Sequence, residues 1–199
     1  EDMDGDRLAD LVIVDWSSEK VFLLRATSTD FTYQPVLLTV NVSGGPIGVT
    51  AADFDGDGIP DLAVSRNQFS MISINRNDGS GQLTHAIDLP VGLAPNYLRG
   101  ADFNRDGRTD LVVSNGGNQS VSVLFAQAGM SFSLVSFPAG HTPTALLVRD
   151  LNDDGYTDIL VASLVGADFR ILLGDGRGGF PNLFPFAGAR GVVSAAMAD

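Results

Sequence analysis

The stretch Asp53-Phe54-Asp55-Gly56-Asp57-Gly58-Ile59-Pro60-Asp61-Leu62 constrains this chain more than any other feature. It places carboxylates at positions 1, 3, 5 and 9 of a loop, with glycine at position 6. Four like charges at that spacing repel one another unless a cation sits among them. A hard ion that takes about six to eight oxygen ligands, such as Ca²⁺, suits this donor set. The pattern recurs from Asp102 to Leu111 and from Asp150 to Ile159, and a fourth copy runs from Asp2 to Leu11. The first Asp of each copy falls at 2, 53, 102 and 150, and Asp199 stands where a fifth would open. The spacings are therefore 51, 49, 48 and 49 residues, a period that points to propellers, solenoids or arrays.

Each repeat reads as four short strands with no helical period. An apolar run follows every loop: Leu11-Val12-Ile13-Val14, Leu62-Ala63-Val64, Leu111-Val112-Val113 and Ile159-Leu160-Val161-Ala162. Such runs resemble strands buried on both faces. After a polar turn come second strands at Val21, Met71, Val121 and Arg170, and third strands open at Phe31, Leu83, Phe132 and Phe180. A fourth strand, such as Val49-Thr50-Ala51-Ala52, runs into the next loop. Four-stranded units repeated radially describe an all-β chain, a β-propeller of four-stranded blades with about four repeats present. It forms one propeller domain or a fragment of one, with repeats at approximately 2–52, 53–101, 102–149 and 150–199. A strand from Val192 to Asp199 either closes a ring onto Leu11 or forms one edge of a larger propeller.

Composition narrows the partners. The net charge of −12 argues against nucleic acid and against insertion in an anionic membrane, and no apolar run is long enough to span one. Fourteen of the 24 acidic residues lie at the four loops' ligand positions, so much of the acidity is local and directed at metal. With no cysteine there are no disulfides, thiolate sites or thiol nucleophiles. The chain opens inside a motif with Glu1, which reads as a piece of a longer or processed protein.

In these loops positions 1, 3, 5 and 9 offer side-chain oxygens and position 7 a backbone carbonyl. Glycine at position 6 supplies the left-handed turn. An EF-hand would close with Glu at position 12 between helices; here strands flank the loop and the closing acid is at position 9. Arg7 occupies position 6 of the first loop, at a conformational cost of roughly 1 kcal/mol, so this site is expected to bind more weakly. Asp153, at position 4, is expected to point outward.

The motif D-x-[DN]-x-[DN]-G-x-x-D, followed by aliphatic residues, resembles the calcium loop of FG-GAP (VCBS-like) repeats. These occur in integrin α-subunit propellers, fungal lectins and secreted bacterial proteins. Gly178-Gly179-Phe180 and Gly129-Met130-Ser131-Phe132 resemble the Gly-rich turn and Phe of the same repeat. The resemblance covers the whole chain and implies Ca²⁺ at three to four sites. It implies as ligands Asp53, Asp55, Asp57, Ile59 (carbonyl) and Asp61 in the second loop, and Asp102, Asn104, Asp106, Arg108 (carbonyl) and Asp110 in the third. The fourth supplies Asp150, Asn152, Asp154, Tyr156 (carbonyl) and Asp158, and the first Asp2, Asp4, Asp6, Leu8 (carbonyl) and Asp10, with Arg7 as the departure.

The turns opposite the acidic loops carry amides, aromatics and arginine, the groups of a polar-ligand or sugar surface. Trp16, Arg66, Asn67, Asn96, Tyr97, Asn118 and His141 are the candidates there. The only histidines, His85 and His141, fall in different repeats without a matching nucleophile, so the chain is expected not to be an enzyme. The function expected is extracellular recognition or adhesion on a calcium-stabilised propeller, with a glycan or an extracellular protein as ligand. Assembly with further blades or a second chain would fit the same reading. A propeller of a secreted polysaccharide-degrading enzyme and a pure scaffold are the alternatives.

Overall fold

The computed structural model describes residues 1–28, 32–163 and 168–187. Among the described residues there are fifteen strands in four antiparallel sheets and no helix. The first sheet holds β1 (Leu11–Asp15), β2 (Lys20–Ala26) and β3 (Tyr33–Asn41). The second holds β4 (Pro46–Ala52), β5 (Asp61–Arg66), β6 (Met71–Asn77) and β7 (Leu83–Pro90). The third is β8 (Pro95–Ala101), β9 (Asp110–Asn115), β10 (Ser120–Gln127) and β11 (Ser131–Pro138). The fourth is β12 (Pro143–Arg149), β13 (Asp158–Ser163), β14 (Asp168–Leu173) and β15 (Asn182–Ala187). Each is a meander of sequential neighbours, the blade of a propeller. The expected third-strand start at Phe31 and the closing strand at Val192–Asp199 lie outside the described residues.

In the last three sheets the acidic loop is the connection between the first and second strands. The unit in space therefore begins one strand before the loop. The first strands β4, β8 and β12 pack against one another in series, so they form the inner rank. Gly48 makes this approach close: a Cβ there would stand 2.5 Å from the Asn96 carbonyl oxygen of β8. The second strands are covered on both faces, as their continuous apolar runs predict; every residue of β9 is buried. β1 departs from that expectation, because Leu11 and Ile13 share one face and are exposed.

The core lies between sheets, in three clusters. One, between the third and fourth sheets, gathers Phe103, Val112, Val121, Ile159, Val161 and Phe180; the others lie between the preceding pairs. Aromatic rings pin the loops into it. Phe103, the second residue of its loop, meets Phe180 edge to face at 5.8 Å, and Phe54 meets Phe132 of the next sheet at 6.4 Å. Phe180 was expected to open a strand; it instead precedes β15 and is buried against Phe103 and Phe137. Phe103→Ala is expected to lower the unfolding free energy by ~3–5 kcal/mol in urea denaturation, since it empties a contact joining two sheets.

Candidate metal centres

Each acidic loop folds around its own carboxylates. In the second loop Asp53 accepts from the Gly56 and Gly58 N–H groups at 2.7 and 2.8 Å, Asp55 from Asp57 N–H at 3.0 Å, and Asp57 from Ile59 N–H at 2.9 Å. The other loops repeat this. The position-1 carboxylate takes the position-6 amide of Arg7, Gly107 or Gly155, and Asp6, Asp106 and Asp154 take the amides of Leu8, Arg108 and Tyr156. Turning the amides inward requires left-handed backbone at two places. Position 6 is left-handed as expected, with Arg7 at φ 69° and Gly58 at 84°. Position 4 is left-handed as well, through Gly5, Gly56, Arg105 and Asp153, which the sequence reading missed. Successive amides in this arrangement form an anion nest.

The closing aspartates are buried and do a second job. Asp61 accepts from Phe54 N–H at 3.2 Å and from Asn77 N–H, at the end of β6, at 2.9 Å. Asp110 accepts from Phe103 and Ala126 at 3.0 and 2.8 Å, Asp10 from Met3 and Ala26 at 2.8 and 2.9 Å, and Asp158 from Leu151 and Gly174 at 2.8 and 2.7 Å. In all four repeats the donors lie seven residues before and sixteen after the acid. The position-2 residue thus anchors the loop twice, by its amide and by its side chain.

Two loops bring three carboxylates together. Asp2, Asp4 and Asp10 place one oxygen each within 4.8 Å of one another, and so do Asp53, Asp55 and Asp61. Among the described residues these are the acidic groups of three that fit a metal ion, and their all-oxygen donor set suits a hard cation. Asp6 and Asp57 stay outside the two groups. Arg7, left-handed at position 6 of the first loop, does not prevent this convergence. In the third and fourth loops Asn104 and Asn152 reduce the acids to three, and each amide donates to the position-5 carboxylate, at 3.3 Å to Asp106 and 2.9 Å to Asp154. Arginines face the two richer loops. Arg76 Nε lies 2.6 Å from Asp55 Oδ2 and its Nη2 3.1 Å from Asp57 Oδ2, while Arg25 Nε lies 3.4 Å from Asp4 Oδ2.

Burial sets the protonation of the inner acids. It pushes the Asp110 carboxyl up to about 6, helped by the charges of Asp106 and Asp102 and against its two amide bonds. Asp61 is raised for the same reasons, its neighbouring charges being Asp55 and Asp57. Asp4 is raised by burial and by Asp10 and Asp6, whereas the Ile59 amide and Arg76 hold Asp57 below the usual range.

The opposite face is partly consumed by structure. Asn67 Nδ2 donates to the Pro95 carbonyl and to Asn96 Oδ1 at 3.3 and 3.1 Å, and Asn96 Nδ2 donates to the Pro143 carbonyl at 3.4 Å. Two expected ligand residues therefore tie three sheets in sequence. Arg66 donates to the Ser43 carbonyl at 2.7 Å and to Asp88 at 3.0 Å, and its guanidinium lies over the Phe69 ring. Trp16, Tyr97, Asn118 and His141 are exposed. Trp16 and Phe69, 59% and 48% exposed, flank Gly44-Gly45, where a Cβ would stand 2.5 Å from the Phe69 ring or 2.9 Å from Trp16 Nε1. Phe69 is the member of this surface that the sequence candidates left out.

A family model described as FG-GAP-like repeat matches residues 2–64, 53–113 and 102–161. No curated protein matches the chain. Among solved structures it is similar to a Pseudomonas aeruginosa periplasmic gluconolactonase, with TM-score 0.66, 17% identity, and 92% of this chain and 52% of that one covered. An Agrocybe aegerita lectin that recognises non-reducing terminal N-acetylglucosamine matches with TM-score 0.53 and 21% identity, covering 84% of this chain and 46% of that one. BBS1N, solved in complex with ARL6DN, gives TM-score 0.61 and 19% identity, with 92% and 54% covered. The chain spans about half the length of these structures. The expectation of a non-enzyme is corrected here. The gluconolactonase is an enzyme with this fold, so the architecture does not exclude catalysis, although at such identity the likeness shows the fold alone.

The raised Asp110 carboxyl has a pH signature. An unfolded aspartate titrates near ~3.9, so the folded state favours the protonated form. That contribution is full below the unfolded value and is lost as pH rises through about 6. Metal-stripped protein is expected to lose thermal stability from about pH 4 to just above pH 6, and Asp110→Asn to flatten this slope whatever it does to absolute stability.

Proposed function

Because this chain belongs to the FG-GAP-like repeat family, we propose that it is a run of calcium-binding propeller blades serving recognition outside the cell, with a glycan or a protein as ligand. The observation that carries the calcium reading is the convergence of Asp53, Asp55 and Asp61, and of Asp2, Asp4 and Asp10, on two oxygen-lined points. These residues would hold the ion, and Asn104, Asn152 and their loop acids would supply two further sites with fewer charges. Bound Ca²⁺ supplies positive charge that offsets the mutual repulsion of the acids. The protein's part is to hold the donors ready: inward amides fix each carboxylate by one lone pair and leave others for a cation. The role is structural, since the closing acid already joins the loop to the far end of the third strand. Extracellular modules of this chemistry bind calcium at ~10⁻⁴–10⁻³ M, which suits an extracellular setting.

Recognition is assigned to the opposite face, around Trp16 and Phe69. An exposed indole and a phenyl ring stacked by Arg66 offer flat apolar surface beside polar groups, the chemistry of sugar-ring contact. The lectin among the similar structures supports a glycan, and the BBS1N complex supports a protein.

The first test is thermal unfolding of stripped protein with and without about 2 mM calcium, near the extracellular level. A ligand selective for the folded state raises the melting temperature, and Asp55→Asn should shrink the rise. The absence of any shift or bound ion would remove the calcium reading. Glycan-array binding lost on Trp16→Ala would support the recognition face; retained binding would move it elsewhere. Binding to neither glycan nor protein would leave a scaffold.

A further inference from the structure

We propose that Arg76 and Arg25 are resident counter-cations of the second and first loops, which calcium must displace, so that these two sites are held weaker than their carboxylates alone would make them. This rests on the calcium reading above and concerns how the four sites are graded.

The argument begins with register. Arg25, Arg76, Phe125 and Leu173 each stand fifteen residues after the closing aspartate of their repeat. Position 3 of the same four loops is Asp4, Asp55, Asn104 and Asn152. Arginine therefore accompanies aspartate and an apolar residue accompanies asparagine, in two repeats each. Geometry gives the exchange its reason. In the second loop Asp57 Oδ2 receives Arg76 Nη2 at 3.1 Å, and in the third and fourth loops the equivalent Asp106 and Asp154 oxygens receive the position-3 amide. Asparagine thus supplies from inside the loop the donor that Arg76 supplies from the neighbouring strand; in the third loop Arg108 Nη1 joins it at 3.4 Å from the same Asp106 oxygen, and in the first loop Arg25 meets Asp4.

The guanidinium is positioned to compete. Its Nε lies 2.6 Å from Asp55 Oδ2, and Asp55 belongs to the converging group of three. Asp57, whose other oxygen is bound to the Ile59 amide, holds Arg76 through Oδ2 and stands outside that group. Arg76 is half exposed, so it can swing to water when an ion takes its place. Arg25 Nε lies 3.4 Å from Asp4 without a hydrogen bond, a looser contact than that of Arg76, while its Nη2 donates to the Ser80 carbonyl in the turn after β6.

The test follows loop glycine amides by ¹⁵N NMR during calcium titration of the whole chain. Gly58 reports the second loop, Gly107 the third and Gly155 the fourth. The variants are Arg76→Leu, the residue type found in the fourth repeat, Arg76→Lys, and Arg177→Leu as a control for removing one distant positive charge. Arg76→Leu is expected to lower the Gly58 midpoint by about tenfold, the factor that follows from losing a charge-assisted bond, with Gly107 and Gly155 unmoved. In wild type the Arg76 Nε–H resonance should move toward that of free arginine as Gly58 saturates. A Gly58 midpoint unchanged or raised by Arg76→Leu, or lowered equally by Arg177→Leu, would overturn the proposal while the calcium reading stood on Gly107 and Gly155. Glycine amides indifferent to calcium in every variant would bring down both.

Discussion

A buried carboxylate that bonds two backbone amides holds each repeat together. Asp61 illustrates it: one oxygen takes the amide of the loop's second residue, and the other takes the amide at the end of the next strand but one. Removing either acceptor would strand a buried N–H, at a cost of about 1–3 kcal/mol. The acid therefore sets where the loop begins, where β6 ends and how the two meet. Its burial also makes its charge costly, which is why Asp61 and Asp110 are pushed toward the protonated form without a cation. A structural staple and a site that favours a cation are here one residue.

The two ends of the sheets are joined by different chemistry. At the loop end the contacts are aromatic and cationic: Phe103 on Phe180, Phe54 on Phe132, and Arg105 donating to the Gly155 carbonyl while lying over Tyr156. At the other end the ties are neutral amides, running from Asn67 to Asn96 and on to Pro143. Charged loops need neighbours that tolerate or offset charge, whereas the opposite turns can spend their polar groups on main chain. What that end leaves exposed includes the rings of Trp16, Phe69 and Tyr97.

The architecture was legible because two periods coincide in the sequence, alternating short apolar runs and an acidic motif near every 49 residues. The strand starts at Leu83 and Leu11 follow from it directly. Three features were harder to read. Left-handed backbone at position 4 was hidden because Arg105 and Asp153 stand there beside two glycines. The apolar anchor at position 2 is visible as Met3, Phe54, Phe103 and Leu151, but spacing alone does not tell a buried apolar residue in an acidic loop from an exposed one. The amide ties were beyond reach, since Asn67 and Asn96 look the same in a turn whether they face solvent or the next sheet.

The loops themselves do not decide what such a chain is for. Structures of the same fold include a gluconolactonase, a lectin and a protein solved with a partner, so function must come from what differs between blades. Within this chain the blades differ in two places. The turns around Trp16 and Phe69 carry exposed rings, whereas the matching turn at Gly116-Gly117 carries none. Position 3 and its partner fifteen residues past the closing acid alternate between an ion pair and a neutral pair. Counting the side chains at positions 1, 3, 5 and 9 and that partner, every loop carries three net negative charges, reached by four acids and an arginine or by three acids and an apolar residue. Equal charge is thus reached with different partners on the same oxygens, Arg76 on Asp55 and Asp57 in the second loop and the position-3 amides on Asp106 and Asp154 in the third and fourth.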